Sequence, residues 1–475
     1  MSAEAVRTLG AIVGTEHSMP LEAPAASDSH TLFTSVVDDK THYVALARPG
    51  DVDQLQRVVQ FAAANGLGMS VQPNAAGNGA VLAPERSDAI VLDLRRMNRI
   101  VEVNSNGAYA LVEPGVSYEQ LRNHLQQSRL PFWVDSDRDC RNSIVGSIYS
   151  RHIGYTPYAD RLLMQCGFEA VLANGSMLRT GMGALPKSTT WQLFKYNFGP
   201  YLDGVLTHTS LATLSKAGLW LMPAPPHYLP FMVTLPDEAA LANAIEALRP
   251  LVISGTLPGA VRISHQSFEQ AAQGLAAKSG QPPIGTWNVF GALYGTQEIA
   301  QLLWGFVRET LNGIKGAQIF LDADRANDPV WKVRYGLMRG ESASVGSGSD
   351  SMRLTCVAPI EGEMAARGWK LLAQASQPAR ASQPARARAN GKLPISCEYT
   401  LLARSMFLDV HVPYTRARSK GAESAAAVSA LADALGAAGF GIADESLELR
   451  RVFDRRFAGS RLTRFTQTLA TAFGA

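Results

Sequence analysis

A glycine-containing loop between two strand-like segments is the stretch of this 475-residue chain with the clearest chemistry. An apolar run at residues 69–71 leads into the loop at 71–84, and a second apolar run follows at 89–94. Upstream, a strand at 43–47 and an amphipathic helix at 51–65 complete the order strand, helix, strand, loop, strand. Backbone amides in such a loop can converge on a phosphate. The pattern therefore predicts a cofactor cradle at 71–84.

The composition indicates a globular protein that acts on small molecules. Hydrophobic residues make up 46% of the chain and charged residues 18%, which suits two or three ordinary domains. The net charge of +3 is spread through the sequence, so neither nucleic acid nor an anionic membrane is expected as a partner. There is no apolar run of about 18 residues and no signal-peptide pattern. The four cysteines lack pairing or metal spacing, which favours buried free thiols in the cytoplasm.

Short strands alternate with helices along the rest of the chain, which is typical of an α+β fold. An Asn-Gly pair at 106–107 predicts a hairpin between strands at 100–103 and 108–112. The proline-rich cluster at 221–226 is the best candidate for a domain boundary. We expect a loosely ordered segment at 1–35 in which a helix at 3–13 is an option, a first domain at 36–224, a second at 225–460, and a C-terminal helix at 461–475 that returns toward the first domain.

Six longer sequence runs indicate the class of protein more specifically than the composition does. They are Ile90-Val-Leu-Asp-Leu-Arg-Arg-Met-Asn98, Tyr109-Ala-Leu-Val-Glu-Pro-Gly-Val116, Gly154-Tyr-Thr-Pro-Tyr158, Val171-Leu-Ala-Asn-Gly175 with Arg179-Thr-Gly-Met-Gly183, Gly218-Leu-Trp-Leu-Met-Pro-Ala-Pro-Pro226 and Ala292-Leu-Tyr-Gly-Thr-Gln297. In these runs the chain resembles the vanillyl-alcohol oxidase and 4-cresol dehydrogenase family of flavoproteins. The resemblance implies a PCMH-type FAD-binding domain followed by an α+β substrate (cap) domain.

The family's chemistry sets the expected substrate and its contacts. The resemblance implies a para-substituted phenol that loses a benzylic hydride to FAD and forms a quinone methide, which water attacks. Because a phenol has a pKa of about 10, holding it as phenolate requires cationic and hydroxyl donors around its oxygen. Tyr414 and Arg416 match the family's pair beside that oxygen and are the predicted catalytic residues, with a surface salt bridge as the alternative for Arg416. The resemblance also implies a homodimer, with a cytochrome subunit or O2 as electron acceptor.

The same resemblance assigns cofactor contacts residue by residue. The predicted FAD-binding residues are Gly77, Asn78 and Gly79 in the loop, Val145, Gly146 and Ser147 in a second turn, and Arg151, Gly154 and Tyr155 beside it.

Three departures from the family bear on the cofactor. Relatives have an Arg-Asn and a Gly-Tyr-Gly where this chain has residues 75–79, so a guanidinium and a phenolic hydroxyl are missing. The tyrosine that attaches FAD has no counterpart in 341–350, so FAD is expected to be non-covalent. His152 stands where a glycine is expected, near Asp135 and Asp137, and their spacing fits no standard metal site, so no metal is predicted.

These departures leave two functions open. One is an FAD-dependent oxidoreductase that acts on a phenolic or other aromatic substrate. The other is a flavin-free descendant that kept the fold and serves as a binding protein or as the partner subunit of a flavoprotein.

Overall fold

A computed structural model describes residues 2–21, 42–73, 88–196, 199–209, 211–273, 284–341, 351–375, 395–413, 418–443 and 459–473. The chain divides into two compact units. Unit 1 comprises Met1–Gly154, Asp160–Pro223 and Glu445–Ala475, and unit 2 comprises Tyr155–Ala159 and Ala224–Asp444. These bounds differ from the expected domains at 155–159 and at 445–460. Residues 155–159 join unit 2 because Tyr155 packs into its apolar core.

Unit 1 contains the following helices and strands: α1 Ser2–Val13, β1 Ser18–Pro20, β2 His42–Ala47, α2 Val52–Ala64, β3 Gly68–Gln72, β4 Asp88–Asp93, β5 Ile100–Asn104, β6 Tyr109–Val112, α3 Tyr118–Gln127, β7 Phe132–Trp133, α4 Ile144–Tyr149, α5 Arg161–Met164, β8 Gln165–Leu172, β9 Met177–Arg179, β10 Ala212–Trp220 and β11 Met222–Pro223.

Unit 2 contains these elements: β12 His227–Leu235, α6 Glu238–Ile253, β13 Val261–His265, α7 Gln266–Gln273, β14 Trp287–Gly295, α8 Gln297–Asn312, β15 Gln318–Leu321, α9 Asp322–Arg325, α10 Pro329–Leu337, β16 Ser351–Pro359, α11 Gly362–Ala375, β17 Ser396–Leu402, β18 Ser405–Pro413, α12 Arg418–Ala437 and β19 Gly441–Ile442. A last helix, α13 Arg461–Phe473, belongs to unit 1.

A mostly parallel sheet begins unit 1, with strand order β1-β2-β4-β3. Both β2 and β3 run parallel to β4, so the carboxyl ends of these three strands lie at one edge. The crossover helix α2 starts at Asp51, whose side chain accepts a hydrogen bond from Gln54 N at 2.8 Å. Its apolar stripe buries Leu55, Val58 and Val59 against the sheet, as its periodicity predicts.

An antiparallel sheet follows, with strand order β5-β6-β10-β8-β9. The hairpin from β5 to β6 forms where the Asn-Gly pair predicted it, and Asn104 Oδ1 accepts from Gly107 N at 2.8 Å. The long strand β10 pairs on both sides, with β6 and with β8. Helix α4, which carries three of the predicted site residues, packs on this sheet.

The sheet of unit 2 is antiparallel, with strand order β15-β12-β14-β13-β17-β18-β16-β19. Because side chains alternate between the faces of a strand, Val261 and Ile263 lie on one face of β13 and Arg262 lies on the other. The apolar positions form the core beside α6 and α11. The opposite face carries a row of buried charges, described below.

The N-terminal segment contains the helix that the sequence offered as an option at 3–13. Helix α1 spans Ser2–Val13, and its Leu9 and Val13 are buried in the apolar core of unit 1. Four-residue spacing of these two side chains places them on the same helix face. The high content of small and acidic residues at 1–35 hid this short stripe. The part of that segment at 22–35 lies outside the described residues.

All four cysteines are buried free thiols, as expected. Within the described ranges, we find no helix that is long and apolar enough to span a membrane.

Candidate FAD and substrate site

A recess in unit 1 opens at the carboxyl ends of the parallel strands. It is lined by residues that follow β3 and β4, by the turn after β6, by α4 and by the start of β10: Val71, Pro73, Leu94, Pro114, Val145, Tyr149, Ala212, Thr213 and Leu214. Open sheets of this kind bind their ligands outside the carboxyl ends of the strands. The lining is mostly apolar.

The helix α4 carries three predicted site residues, of which Val145 lines this recess. Val145, Gly146 and Ser147 are all buried. A Cβ atom added to Gly146 would lie 3.1 Å from Pro73 Cγ, so the helix and the start of the loop approach each other closely. A larger residue here would require Pro73 to shift by a few tenths of an ångström. The structure thus places the second predicted turn, at 145–147, against Pro73 near the start of the predicted cradle.

The cradle residues Gly77, Asn78 and Gly79 lie outside the described residues. Their role as FAD ligands stays a prediction. The described strands fix where that loop leaves and returns, since β3 ends at Gln72 and β4 starts at Asp88 on the same parallel sheet.

The Arg151 side chain is engaged within unit 1. Its Nε donates to Thr207 Oγ1 at 3.1 Å, and its Nη2 donates to Gly204 O at 2.9 Å. Its backbone has φ +52°, a left-handed conformation that is uncommon outside glycine. The Ser147 hydroxyl donates to Asp137 Oδ2 at 3.1 Å. Both predicted cofactor residues therefore support the turn through protein contacts.

Gly154 is pressed against a carboxylate. A Cβ atom at this position would lie 1.4 Å from Asp135 Oδ2, so no other residue fits unless Asp135 moves. Asp135 is in turn paired with Arg161, whose Nη2 lies 3.6 Å from the same oxygen. The side chain of Asp135 thus occupies the space beside the glycine that the family pattern marks as a flavin neighbour.

Charged groups beside Gly154 form a compact cluster around Asp137. Its Oδ2 lies 3.6 Å from Arg161 Nη1 and 3.6 Å from His152 Nδ1. Burial opposes ionisation, but Arg161 and His152 outweigh it and hold the pKa of Asp137 well below its usual range. Among the described residues, no three His, Cys, Asp or Glu side chains converge in the manner of metal ligands. Asp135 and Asp137 instead share Arg161 as their cation.

Tyr155, the last of the predicted cofactor residues, lies in the core of unit 2. Its ring packs beside Met232 and Phe290, and the Arg262 guanidinium lies 4.2 Å above it. Arg262 was not among the residues that the sequence singled out. The signal that could have found it lies in the neighbouring strands, where Thr400 of β17 pairs with Arg262 and Asp409 of β18 pairs with Glu398.

The predicted catalytic residues Tyr414 and Arg416 follow β18, which ends at Pro413. They lie outside the described residues, so their roles stay predictions. Tyr335, which precedes the segment 341–350, packs in unit 2 with its ring 5.3 Å from that of Tyr228.

Comparisons with known proteins agree with this geometry. An FAD binding domain model matches residues 44–181, which contain the parallel sheet and α4. The flavoprotein subunit of 4-cresol dehydrogenase [hydroxylating] from Pseudomonas putida is 37% identical over 276 residues, which are 54% of this chain and 53% of that protein. The 1'-carboxy-chondrochloren decarboxylase of Chondromyces crocatus is 33% identical over 251 residues, or 51% of this chain and 45% of that enzyme. The chain thus spans about half the length of these curated relatives.

Solved structures extend the likeness over the whole fold. The structure of p-cresol methylhydroxylase with substrate bound superposes with a TM-score of 0.86 at 27% identity and covers 99% of this chain and 94% of that one. The 4-ethylphenol oxidase of Gulosibacter chungangensis gives a TM-score of 0.88 at 24% identity, with the same coverage, and bears on the fold alone.

The site and these matches define a flavoprotein domain. These matches confirm the expected resemblance to flavoproteins with a PCMH-type FAD-binding domain, and they confirm the α+β fold. FAD is the cofactor that this family assigns to the domain. Within the matched residues, Val71, Pro73 and Val145 present apolar side chains to the recess, and a role for them as FAD contacts stays a prediction.

Proposed function

We propose that this protein is an FAD-dependent oxidoreductase that removes a benzylic hydride from a para-substituted phenol. The observation that carries the proposal is the likeness to p-cresol methylhydroxylase, which extends over 99% of the chain. It is supported by the apolar recess at the carboxyl ends of β3 and β4. FAD, when bound, supplies the acceptor for the hydride.

Different residues of the chain would bind the cofactor and the substrate. The apolar lining of the recess, with Val71 and Val145, holds the dinucleotide by burying ring surface. We assign the phenolate oxygen to Tyr414 and Arg416, since a hydroxyl donor and a cation lower the cost of ionising a phenol. The hydroxyl that is missing at 75–79 would have been one such partner. Its absence would weaken phenolate binding by about 1.5 to 3 kcal/mol.

We propose that FAD is bound without a covalent link. Support comes from residues 341–350, which contain no tyrosine or histidine. Tyr335 gives further support, because its ring is used in packing against Tyr228 and Trp331.

Electrons would leave to a partner cytochrome subunit or to O2, and the protein would act as a homodimer. The relative in Pseudomonas putida is named as a flavoprotein subunit, which supports a partner chain.

The visible spectrum of the purified protein, followed by acid precipitation, tests the proposal. We expect flavin bands near their usual wavelengths, either as purified or after FAD is added, and release of all flavin into the acid supernatant. Reduction of these bands by 4-methylphenol under anaerobic conditions would identify the substrate class. Flavin in the acid pellet would refute the non-covalent assignment. A protein that takes up no FAD would favour the flavin-free alternative, for which the Asp135 side chain against Gly154 is the structural argument.

A further inference from the structure

Among the described residues that line the recess in unit 1, Tyr149 at the end of α4 supplies an aromatic ring. Its hydroxyl donates to Thr209 O and accepts a hydrogen bond from Thr209 N at 2.8 Å. One side chain therefore binds both backbone groups of one loop residue. Because the hydroxyl is used in this way, the position of the ring in the recess is tied to the position of the loop.

Arg151 binds the same loop two residues farther along the chain. Its Nη2 donates to Thr207 Oγ1 at 3.0 Å and to Gly204 O at 2.9 Å. Thr207 is 2% exposed, so the bonds to its hydroxyl are shielded from water. A guanidinium presents its donors in a planar fork, and here the fork is filled by groups of the loop. Arg151 therefore acts on the loop.

This loop leads directly into β10, whose first residues line the recess. Leu211 N donates to Thr209 Oγ1 at 3.2 Å, and Leu211 O accepts from Ala173 N at 3.0 Å. The residues that follow, 212–214, are the part of β10 that faces the recess. The β10 side of the recess is thus connected to the loop that Tyr149 and Arg151 hold.

Two residues in this arrangement have a left-handed backbone. Arg151 has φ +52°, and His208, between the two bound threonines, has φ +55°. Such conformations are uncommon outside glycine and persist where surrounding contacts hold them. The ring centroids of Tyr149 and His208 lie 6.5 Å apart. The unusual backbone therefore coincides with the segment that the hydrogen bonds of Tyr149 and Arg151 hold.

We propose that Tyr149 and Arg151 are positioning residues that hold the loop at 204–209 and, through it, the β10 side of the recess in the shape that binds FAD. Both act from one end of α4, which also places Val145 in the recess. Arg151 was predicted to contact FAD itself, and Tyr149 was not among the predicted residues. The inference rests on the proposed function, since FAD is taken as the ligand of the recess.

The test compares two Tyr→Phe variants of the full chain. Tyr149→Phe removes the hydroxyl that binds Thr209 but keeps the ring, so a contact between the ring and FAD would survive. Tyr399→Phe is the matched control, because the Tyr399 hydroxyl also donates to a backbone carbonyl, Ala365 O at 2.7 Å, within unit 2. The Kd for FAD, from flavin fluorescence, and the hydrogen exchange of the Thr209 and Leu211 amides are measured for both.

We expect Tyr149→Phe to weaken FAD binding by about threefold to tenfold, as the loss of hydrogen bonds that hold the loop implies. The Thr209 amide should exchange faster because its acceptor is gone, and the Leu211 amide should follow because its acceptor is carried by the loop. Tyr399→Phe should lower the unfolding midpoint and change neither FAD affinity nor these amides. Unchanged Leu211 exchange in Tyr149→Phe, or equal FAD affinity in the two variants, would overturn the proposal.

Arg151→Lys tests the second positioning residue and carries the test if Tyr149→Phe does not fold. Lysine keeps the charge but loses the planar fork, and Arg151 is exposed, so the fold should tolerate the change. We expect FAD binding about threefold weaker and faster exchange of the Leu211 amide. If Arg151 instead served FAD as a charge, lysine would preserve the affinity and leave Leu211 exchange unchanged, which would contradict the positioning role.

Failure of the proposed function gives a different result. If the wild-type protein takes up no FAD, Leu211 exchange in the Tyr149 and Tyr399 variants still decides whether the loop is held as proposed. If the wild type binds FAD and Tyr149→Phe binds it equally well, the positioning role falls while the oxidoreductase proposal stands.

Discussion

The ionisation of the Asp409 carboxylate makes the stability of unit 2 depend on pH. Its side chain is 7% exposed, and its Oδ1 accepts from Arg353 Nη2 and Thr355 Oγ1, each at 2.7 Å. Burial alone would raise the pKa of Asp409, but the guanidinium groups of Arg353 and Arg262 lower it to about 2. Ionised Asp409 therefore stabilises the folded chain.

Asp409→Asn should remove that contribution. The pKa in the unfolded chain is about 3.9, so the contribution is complete above that value and is lost as the pH falls toward 2. We expect a loss of about 2 kcal/mol at pH 7 that shrinks between pH 4 and pH 2. Thermal unfolding midpoints measured across that range check the prediction. Glu363→Gln, in a pair whose carboxylate is 81% exposed, is the control and should leave the midpoints unchanged. A pH-independent difference for Asp409→Asn would show that folding leaves the pKa of this carboxyl unchanged.

At the scale of elements, α4 matters because its glycine allows it to approach the loop that follows β3. The helix begins at Ser143, whose Oγ accepts from Gly146 N at 2.9 Å and donates to Pro114 O at 2.5 Å. That hydrogen bond fixes the helix start to the turn after β6. The recess therefore depends on the placement of one short helix.

Gly146→Leu should close the recess on its loop side. A leucine side chain has no room beside Pro73, so we expect FAD affinity to fall at least about tenfold and stability to fall by about 1 to 3 kcal/mol. Gly305→Leu in α8 is the matched control, because an added Cβ atom there meets nothing within 4 Å. Its FAD affinity should equal that of the wild type. Unchanged FAD binding in Gly146→Leu would remove the recess from the cofactor site.

Elements with strong local signals were predictable from the sequence. The helix at 51–65 and the Asn-Gly hairpin formed as predicted, since an Asp cap, an apolar stripe and turn chemistry all act locally. The buried charges Arg262 and Arg334 were not predictable. Alternating polar residues in a strand normally mark a solvent face, and only the pairing of β13 with β17 and the packing of α10 reveal that this face is covered.

The family motif predicts which residues lie near the cofactor but not which protein groups they touch. Gly146 lies against Pro73, a neighbour that the motif does not name. Gly154 also has a close contact, but the neighbour is Asp135, a side chain far enough away in sequence that spacing gives no sign of it. Tyr155 follows Gly154 directly and yet packs in the other unit, which a motif read along the chain cannot show.

For the molecule as a whole, FAD should act as a stabiliser of unit 1, because the recess and the matched FAD-binding domain both belong to that unit. A ligand that binds only the folded state stabilises it by about 2.7 kcal/mol at one hundred times its Kd. For a unit of this size, the unfolding midpoint should rise on the order of 5 °C. FMN has the same ring system and one phosphate but lacks the adenosine half. It should therefore raise the midpoint less if the adenosine half of FAD is also bound by unit 1. Scanning calorimetry at matched ligand concentrations measures both shifts. Equal shifts with FAD and FMN would mean that the adenosine half contributes nothing to cofactor binding.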